Sequence, residues 1–132
     1  MAKTFDKRTV SYESAVRMVE AAVAKAEKLG CKQNVAVVDE GGNLKAFGRM
    51  DGAIWAGAYG SQGKAVASAG FGRPSGELQE RASSPIVSGI AAHEGGHMIP
   101  SQGAVPIIRE GNVIGACGVG GGTAEEDEQC AA

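Results

Sequence analysis

The chain has 132 residues, of which 43% are apolar and 21% charged, and this size and composition predict a single domain over residues 1–132. The net charge of −2 comes from 13 basic and 15 acidic residues that form no basic stripe, so we expect no nucleic-acid partner. The sequence has no run of about 18 apolar residues, so we expect no membrane partner. It has no N-terminal apolar h-region, and its three cysteines are isolated, so we expect a cytoplasmic protein.

The first predicted element is an amphipathic helix. Ser11 is a suitable N-cap, and apolar residues recur at helical spacing from Ala15 to Ala26. Gly30 is a suitable C-terminal stop, because glycine adopts the left-handed conformation that often ends a helix. One face of this helix is therefore expected to pack on a core.

A β-hairpin is predicted next. The β-branched run Val35–Val38 leads into Glu40–Asn43, whose residues tolerate the positive φ of a tight turn, and Leu44–Met50 supplies the return strand. Asp39 and Asp51 flank this hairpin and are expected to form turns.

An alanine-rich stretch, "AIWAGAYGSQGKAVASAGFG", predicts a helix interrupted near Gly60 or Gly63. The prolines that follow limit further helices to short pieces. We expect one over Glu77–Ala82 and another over Pro85–Ala92.

Four residues of this middle region are candidates for ligand contact. Trp55 and Tyr59 lie four apart on the predicted helix, a spacing typical of core or subunit contacts, although aromatic faces also stack on flat ligands. Lys64 and Arg73 have the charge to pair with the carboxylates of a ligand. The alternative for these two is a solvated helix lysine and a solvated loop arginine.

The last third predicts a second hairpin and a final helix. Val105–Ile108 and Val113–Val119 are apolar and are joined by the turn Glu110–Asn112. Thr123 and Glu126 have capping-box spacing. Hairpins imply antiparallel pairing, so the predicted fold class is α+β, with a single antiparallel sheet built from two β-hairpins and flanked by helices.

The stretch "HEGGHMIP" contains both histidines of the chain and fits H-E-x-x-H, the zinc-protease pattern. That pattern needs His93 and His97 on one helix face, but both intervening residues are glycine and Pro100 follows closely. We therefore reject a zinc protease. The histidines are either solvated loop residues, or ligands to haem iron or another metal, or an acid/base.

Glycines and cysteines near the second hairpin allow further interpretations. Gly120–Thr123 is either a closely packed turn or a nest of N–H groups that binds an anion. Cys117 lies in an apolar strand and is expected to be buried, whereas Cys130 near the end is expected to be exposed.

Several motifs resemble the GlcG/HbpS-like family, also called the haem-degrading-domain family. They are "VAVVDEGGNLKAFGRMDGA", the K-A-x-x-A helix at Lys64, and "GAVPIIREGNVIGACGVGGGTAEEDE". The resemblance implies a profilin-like outline and homo-oligomers, haem binding in some members, and a related domain fused to corrinoid adenosyltransferases. The chain departs from the family pattern G-G-x-P at Ala104 and from G-V-S-G at Gly120.

The main functional hypothesis is a protein that binds a small ligand, most simply haem or another tetrapyrrole, at a subunit interface. One alternative is a catabolic isomerase or lyase that acts on a small organic acid, with His93 or His97 as acid/base. Another is an assembly protein that binds a partner and no small ligand. The candidate ligand-binding residues are His93, His97, Gly103, Pro106, Lys64 and Arg73, and the two histidines are the candidate metal ligands.

Overall fold

The computed structural model describes residues 1–132, and its elements follow the predicted order of helix, hairpin, helices, hairpin and helix. None of the helices has the length and apolar content that crossing a membrane requires. The elements are α1 (Tyr12–Leu29), β1 (Asn34–Asp39), β2 (Leu44–Arg49), α2 (Ala56–Phe71), α3 (Gly76–Gln79), α4 (Pro85–His93), β3 (Ala104–Arg109), β4 (Asn112–Gly120) and α5 (Ala124–Ala131).

The four strands form one antiparallel sheet in the order β2-β1-β4-β3. Both predicted hairpins are present, and they join where β1 pairs with β4, with Val37 opposite Cys117. Asp39 forms the first turn as predicted, because its Oδ1 accepts hydrogen bonds from the backbone N–H groups of Gly41 and Asn43 at 2.9 and 3.0 Å. The predicted α+β class is confirmed.

Helix α1 has both predicted ends. Ser11 Oγ accepts a hydrogen bond of 3.1 Å from the backbone N–H of Ser14, and Gly30 has a left-handed φ of 75°. The helix packs with α5 on one face of the sheet. The core of this face combines small residues of α1 with apolar side chains of the strands and α5, including Ala15, Ala22, Ala26, Val35, Val37, Cys117, Val119 and Cys130.

Helix α2 covers the other face and is continuous, so the predicted interruption near Gly60 or Gly63 is wrong. Glycine in this helix serves close packing on β4. A Cβ added to Gly57 would lie 2.9 Å from the carbonyl oxygen of Gly120, and one added to Gly120 would lie 2.7 Å from that of Gly57. The backbones of α2 and β4 thus contact each other directly, which offsets the low helix propensity of glycine.

The segment between α2 and β3 lies outside these layers. Helix α3 is shorter than the predicted Glu77–Ala82, while α4 extends one residue beyond its predicted end. Although α4 is largely apolar, only Val87 is buried, and Ile86 remains 69% exposed. This weakly covered helix leads into the loop that contains the second histidine.

Helix α5 begins with the predicted capping box. The Thr123 N–H donates to Glu126 Oε1 at 2.9 Å, and the Glu126 N–H donates to Thr123 Oγ1 at 3.2 Å. The Gly122 N–H donates to Asp127 Oδ1 at 3.0 Å. Because carboxylates of the chain occupy these N–H groups, the structure favours the packing interpretation of Gly120–Thr123 over an anion-binding nest.

Candidate functional site

The stretch "HEGGHMIP" leaves helix α4 as a loop. His93 is the last residue of α4, and Gly95 and Gly96 both have left-handed φ values, 69° and 81°. Left-handed residues end a right-handed helix, so His93 and His97 share no helix face. No group of three or more His, Cys, Asp or Glu side chains in the chain can hold a metal ion. The helix that the zinc-protease pattern requires is therefore not formed across these residues.

The loop is seated on α2 two residues after the second histidine. The Ile99 N–H donates a hydrogen bond of 3.0 Å to the Gly63 carbonyl oxygen. A Cβ on Gly63 would lie 2.5 Å from the Ile99 side chain, so only glycine lets the loop approach this closely. This contact fixes His97 beside a cleft of about 270 Å³ whose lining is Tyr59, Gln62, Gly95, Gly96, His97 and Ile99.

An exposed aromatic pair lies at the start of α2, and one of its members, Tyr59, lines this cleft. Trp55 and Tyr59 contact each other edge to face, with ring centroids 6.2 Å apart and planes at 82°. They are 70% and 68% exposed, so they do not belong to the core. Tyr59 lines the cleft together with His97, and Trp55 contacts Tyr59 outside the lining. We call Tyr59, Gln62, Gly95, Gly96, His97 and Ile99 the histidine cleft.

Both imidazoles are exposed and available to a ligand. No hydrogen bond or ion pair within the chain involves either side chain. Either imidazole is therefore free to ligate a metal or to act as an acid/base.

Lys64 lies in the interior rather than in solvent. Its Nζ donates a hydrogen bond of 2.8 Å to Asp127 Oδ2, and the two side chains are only 9% and 5% exposed. Gly103 packs against this pair, because a Cβ there would lie 2.5 Å from Nζ. The alternative of a solvated helix lysine is therefore wrong, and the ammonium group that was predicted to meet a ligand carboxylate already pairs with a carboxylate of the chain.

The other candidate residues lie apart from the histidine cleft. Arg73 lines a polar groove of about 450 Å³ that also contains Arg81 and three glutamates. Pro106 lines an apolar cavity beside α1 and α5. The structure thus does not gather the six predicted ligand-binding residues around one cavity, and His97 is the only one of them that lines the histidine cleft.

Comparison with known proteins identifies the family. Residues 10–132 match the family described as haem degrading protein HbpS-like. The chain belongs to the HbpS-like family. It is 33% identical over 121 residues to an uncharacterized 15.0 kDa protein in the dhaT-dhaS intergenic region of Citrobacter freundii. This match covers 90% of this chain and 84% of that protein. It is also 33% identical over 111 residues to protein GlcG of Escherichia coli K12, covering 83% of this chain and 80% of GlcG.

Solved structures of the family share the fold. The crystal structure of protein ORFY from Klebsiella pneumoniae superposes with a TM-score of 0.90 and 30% identity, over 99% of this chain and 91% of ORFY. A complex of PduOC with haem superposes with a TM-score of 0.83 and 26% identity, over 93% of this chain and 90% of that one. The resemblance to the GlcG/HbpS-like family is therefore confirmed.

The sequence alone did not single out Gln62 and Ile99, which line the cleft of this HbpS-like protein, or the contact of Gly63 with Ile99. Gln62 and Gly63 lie in the predicted helix, and Ile99 lies in the predicted loop. No local pattern links α2 to a loop so far along the chain. The contact between α2 and this loop is visible only in the folded chain, where the sheet brings the two segments together.

The three cysteines of this HbpS-like chain are free and come together in the α1 core. Cys117 is buried as expected, whereas Cys130 is also buried, so the prediction of an exposed Cys130 is wrong. Burial and the neighbouring Cys130 raise the pKa of Cys117 to about 12. Burial and the neighbouring Cys31 raise the pKa of Cys130 to about 11. Thiols with such values are poor nucleophiles at neutral pH, which argues against cysteine catalysis.

Proposed function

We propose that this HbpS-like protein binds haem and that His97 is the axial ligand to the iron. The observation that carries the proposal is the position of an exposed imidazole beside the exposed Trp55–Tyr59 pair. Two findings from relatives support it: the family is described as haem degrading, and PduOC has been crystallised with haem.

The side chains of the histidine cleft are of types that can bind haem. Neutral imidazole is a common axial ligand to haem iron. Tyr59 and Trp55 offer aromatic surface for a flat macrocycle, and Ile99 adds an apolar contact.

The cleft alone does not enclose a haem. Its volume of about 270 Å³ is below the roughly 300–1,000 Å³ of pockets that bury most of a drug-sized ligand. We therefore infer that a second copy of the chain covers the other side of the macrocycle in a homo-oligomer. The poorly covered Ile86 on α4 is available for such a contact.

A haem titration tests the proposal. Ferric haem added to the wild-type protein should give a saturable shift and sharpening of the Soret band. His97→Ala should lose this band shape, whereas the matched variant His93→Ala should retain it, because His93 lies outside the cleft lining. A free-haem spectrum with the wild-type protein, or an unchanged spectrum with His97→Ala, refutes the proposal.

The oligomer is tested separately from the ligand. Sedimentation of the wild-type protein with and without haem reports the mass of the assembly. Haem binding by a monomer would remove the second copy from the proposal while leaving the role of His97 intact.

A further inference from the structure

We propose a second ligand site, distinct from the histidine cleft, for a free long-chain fatty acid in a groove between α1 and the edge strand β3. Two adjoining cavities form this α1–β3 groove, and they share Met18 and Ile107 in their linings. The two cavities therefore adjoin at these two side chains, between the start of α1 and α5.

One half of the groove is apolar and suits an acyl chain. This half has a volume of about 370 Å³, and nine of its eleven lining residues are hydrophobic. Val105 and Cys117 of the sheet line it together with Ala21 and Lys25 of α1, and Lys25 is its one charged side chain. A methylene chain placed here leaves water for apolar surface, which is the main source of affinity for such ligands.

The other half is polar and basic and suits a carboxylate. It has a volume of about 680 Å³ and carries the hydroxyl side chains of Thr9, Ser11 and Ser14. Two arginines line it. Arg8 already pairs with Glu110 at 3.0 Å, whereas Arg109 makes no ion pair within the chain. An unpaired guanidinium next to hydroxyl groups is a good partner for a carboxylate.

Charge and polarity together define the class of ligand. No acidic side chain lines either half of the groove, although the chain as a whole carries a net charge of −2. Polarity falls from the Arg109 end to the α5 end. A molecule with one anionic head and one long apolar tail matches this gradient, and neither half contains a histidine that could ligate iron.

Calorimetric titration with oleate, kept below its aggregation concentration, tests the site. The wild-type protein should bind oleate with saturable one-site heat. Affinity should fall roughly fourfold for each methylene removed along a series of shorter saturated acids, because each buried methylene contributes a similar increment.

Matched variants locate the ligand. Ala21 is exposed and lines the apolar half, whereas Ala24 is exposed on the same helix outside the groove. Ala21→Trp should therefore abolish binding, and Ala24→Trp should bind like the wild type. Arg109→Gln should weaken binding by about tenfold or more, in line with loss of a charge-assisted hydrogen bond. Arg81→Gln, an exposed control elsewhere, should leave it unchanged.

Two further measurements separate this site from other occupants. His97→Ala should bind oleate like the wild type, because the groove shares no residue with the histidine cleft. If a second copy of the chain fills the groove, Ala21→Trp will lower the sedimenting mass and the wild type will not bind oleate. That result overturns the proposal, as does oleate binding that Ala21→Trp leaves intact.

Discussion

Lys64 on α2 and Asp127 on α5 form a buried ion pair with a 2.8 Å hydrogen bond between Nζ and Oδ2. The two helices cover opposite faces of the sheet. The ion pair between Lys64 and Asp127 therefore connects the two helical layers past one end of the sheet, beside Gly103. The second carboxylate oxygen of Asp127 accepts the Gly122 N–H, so both of its oxygens are satisfied. Each charge is thus compensated inside the protein.

Removal of one partner of this pair should destabilise the fold strongly. Lys64→Met leaves a buried carboxylate without its cation, and we expect a loss of about 3–5 kcal/mol in the free energy of unfolding. The double variant Lys64→Met/Asp127→Leu should recover much of this loss, because no unpaired charge remains. Urea denaturation of the wild type, both single variants and the double variant measures the coupling. Additive losses would show that the two side chains act independently.

Local signals in the sequence predicted the secondary structure well. The caps of α1 and α5 depend on residues at most four apart, so Ser11, Gly30 and the Thr123 capping box were identified correctly. The pairing of Lys64 with Asp127 joins residues 63 apart and has no local signature. For the proposed site, the sequence singled out His97 and Tyr59 as candidates but gave no local signal for Gln62 or Ile99.

The continuity of α2 shows why glycine misled the sequence-based prediction. Glycine at 60 and 63 lowers the helix propensity, which suggests a break near one of them. In the folded chain, a Cβ on Gly63 would collide with Ile99, and a Cβ on Gly57 of the same helix would collide with Gly120. Such tertiary contacts override propensity and are visible only once the packing is known.

Gly63→Ala tests how the loop carrying His97 is seated. The added Cβ would overlap the Ile99 side chain, so we expect a loss of about 1–3 kcal/mol in stability from overpacking. Haem affinity should fall with it, because the loop shifts away from α2. Thermal unfolding and Soret titration measure the two effects.

Gly60→Ala is the matched control on the same helix. The nearest atom to an added Cβ is Lys64 Cε at 4.0 Å, so the methyl group fits. We expect a gain of about 0.5–1 kcal/mol from the higher helix propensity of alanine and no change in haem affinity. Equal losses of stability in both variants would contradict the proposed seating of Ile99 on Gly63.

The buried thiols predict a specific dependence of stability on pH. Burial raises the pKa of Cys117 from 9.0 to about 12, so the folded protein holds this proton more tightly than the unfolded chain does. The resulting stabilisation is complete below about pH 8.5 and is lost as the pH rises from there towards 12. The expected slope from Cys117 alone is about −1.4 kcal/mol per pH unit above pH 9.

Urea denaturation between pH 7 and pH 10.5 reads out this slope. Cys117→Ala should be less stable at neutral pH but should lose stability less steeply above about pH 9, so that the difference between the two proteins narrows. The stability that Cys117→Ala loses through poorer packing does not depend on pH, so it does not affect the comparison of the two slopes. Identical slopes for the two proteins would show that the thiol ionises as easily in the folded chain as in the unfolded one.

The most direct test of haem ligation by His97 is chemical rescue of the variant His97→Ala with free imidazole, followed by absorbance of the ferric haem complex. The removed side chain is exposed at the cleft, so a free imidazole molecule can reach the vacated position. Added imidazole should restore the wild-type Soret band to His97→Ala at concentrations that leave free haem unligated. If His97→Ala shows the wild-type spectrum before imidazole is added, His97 is not the iron ligand.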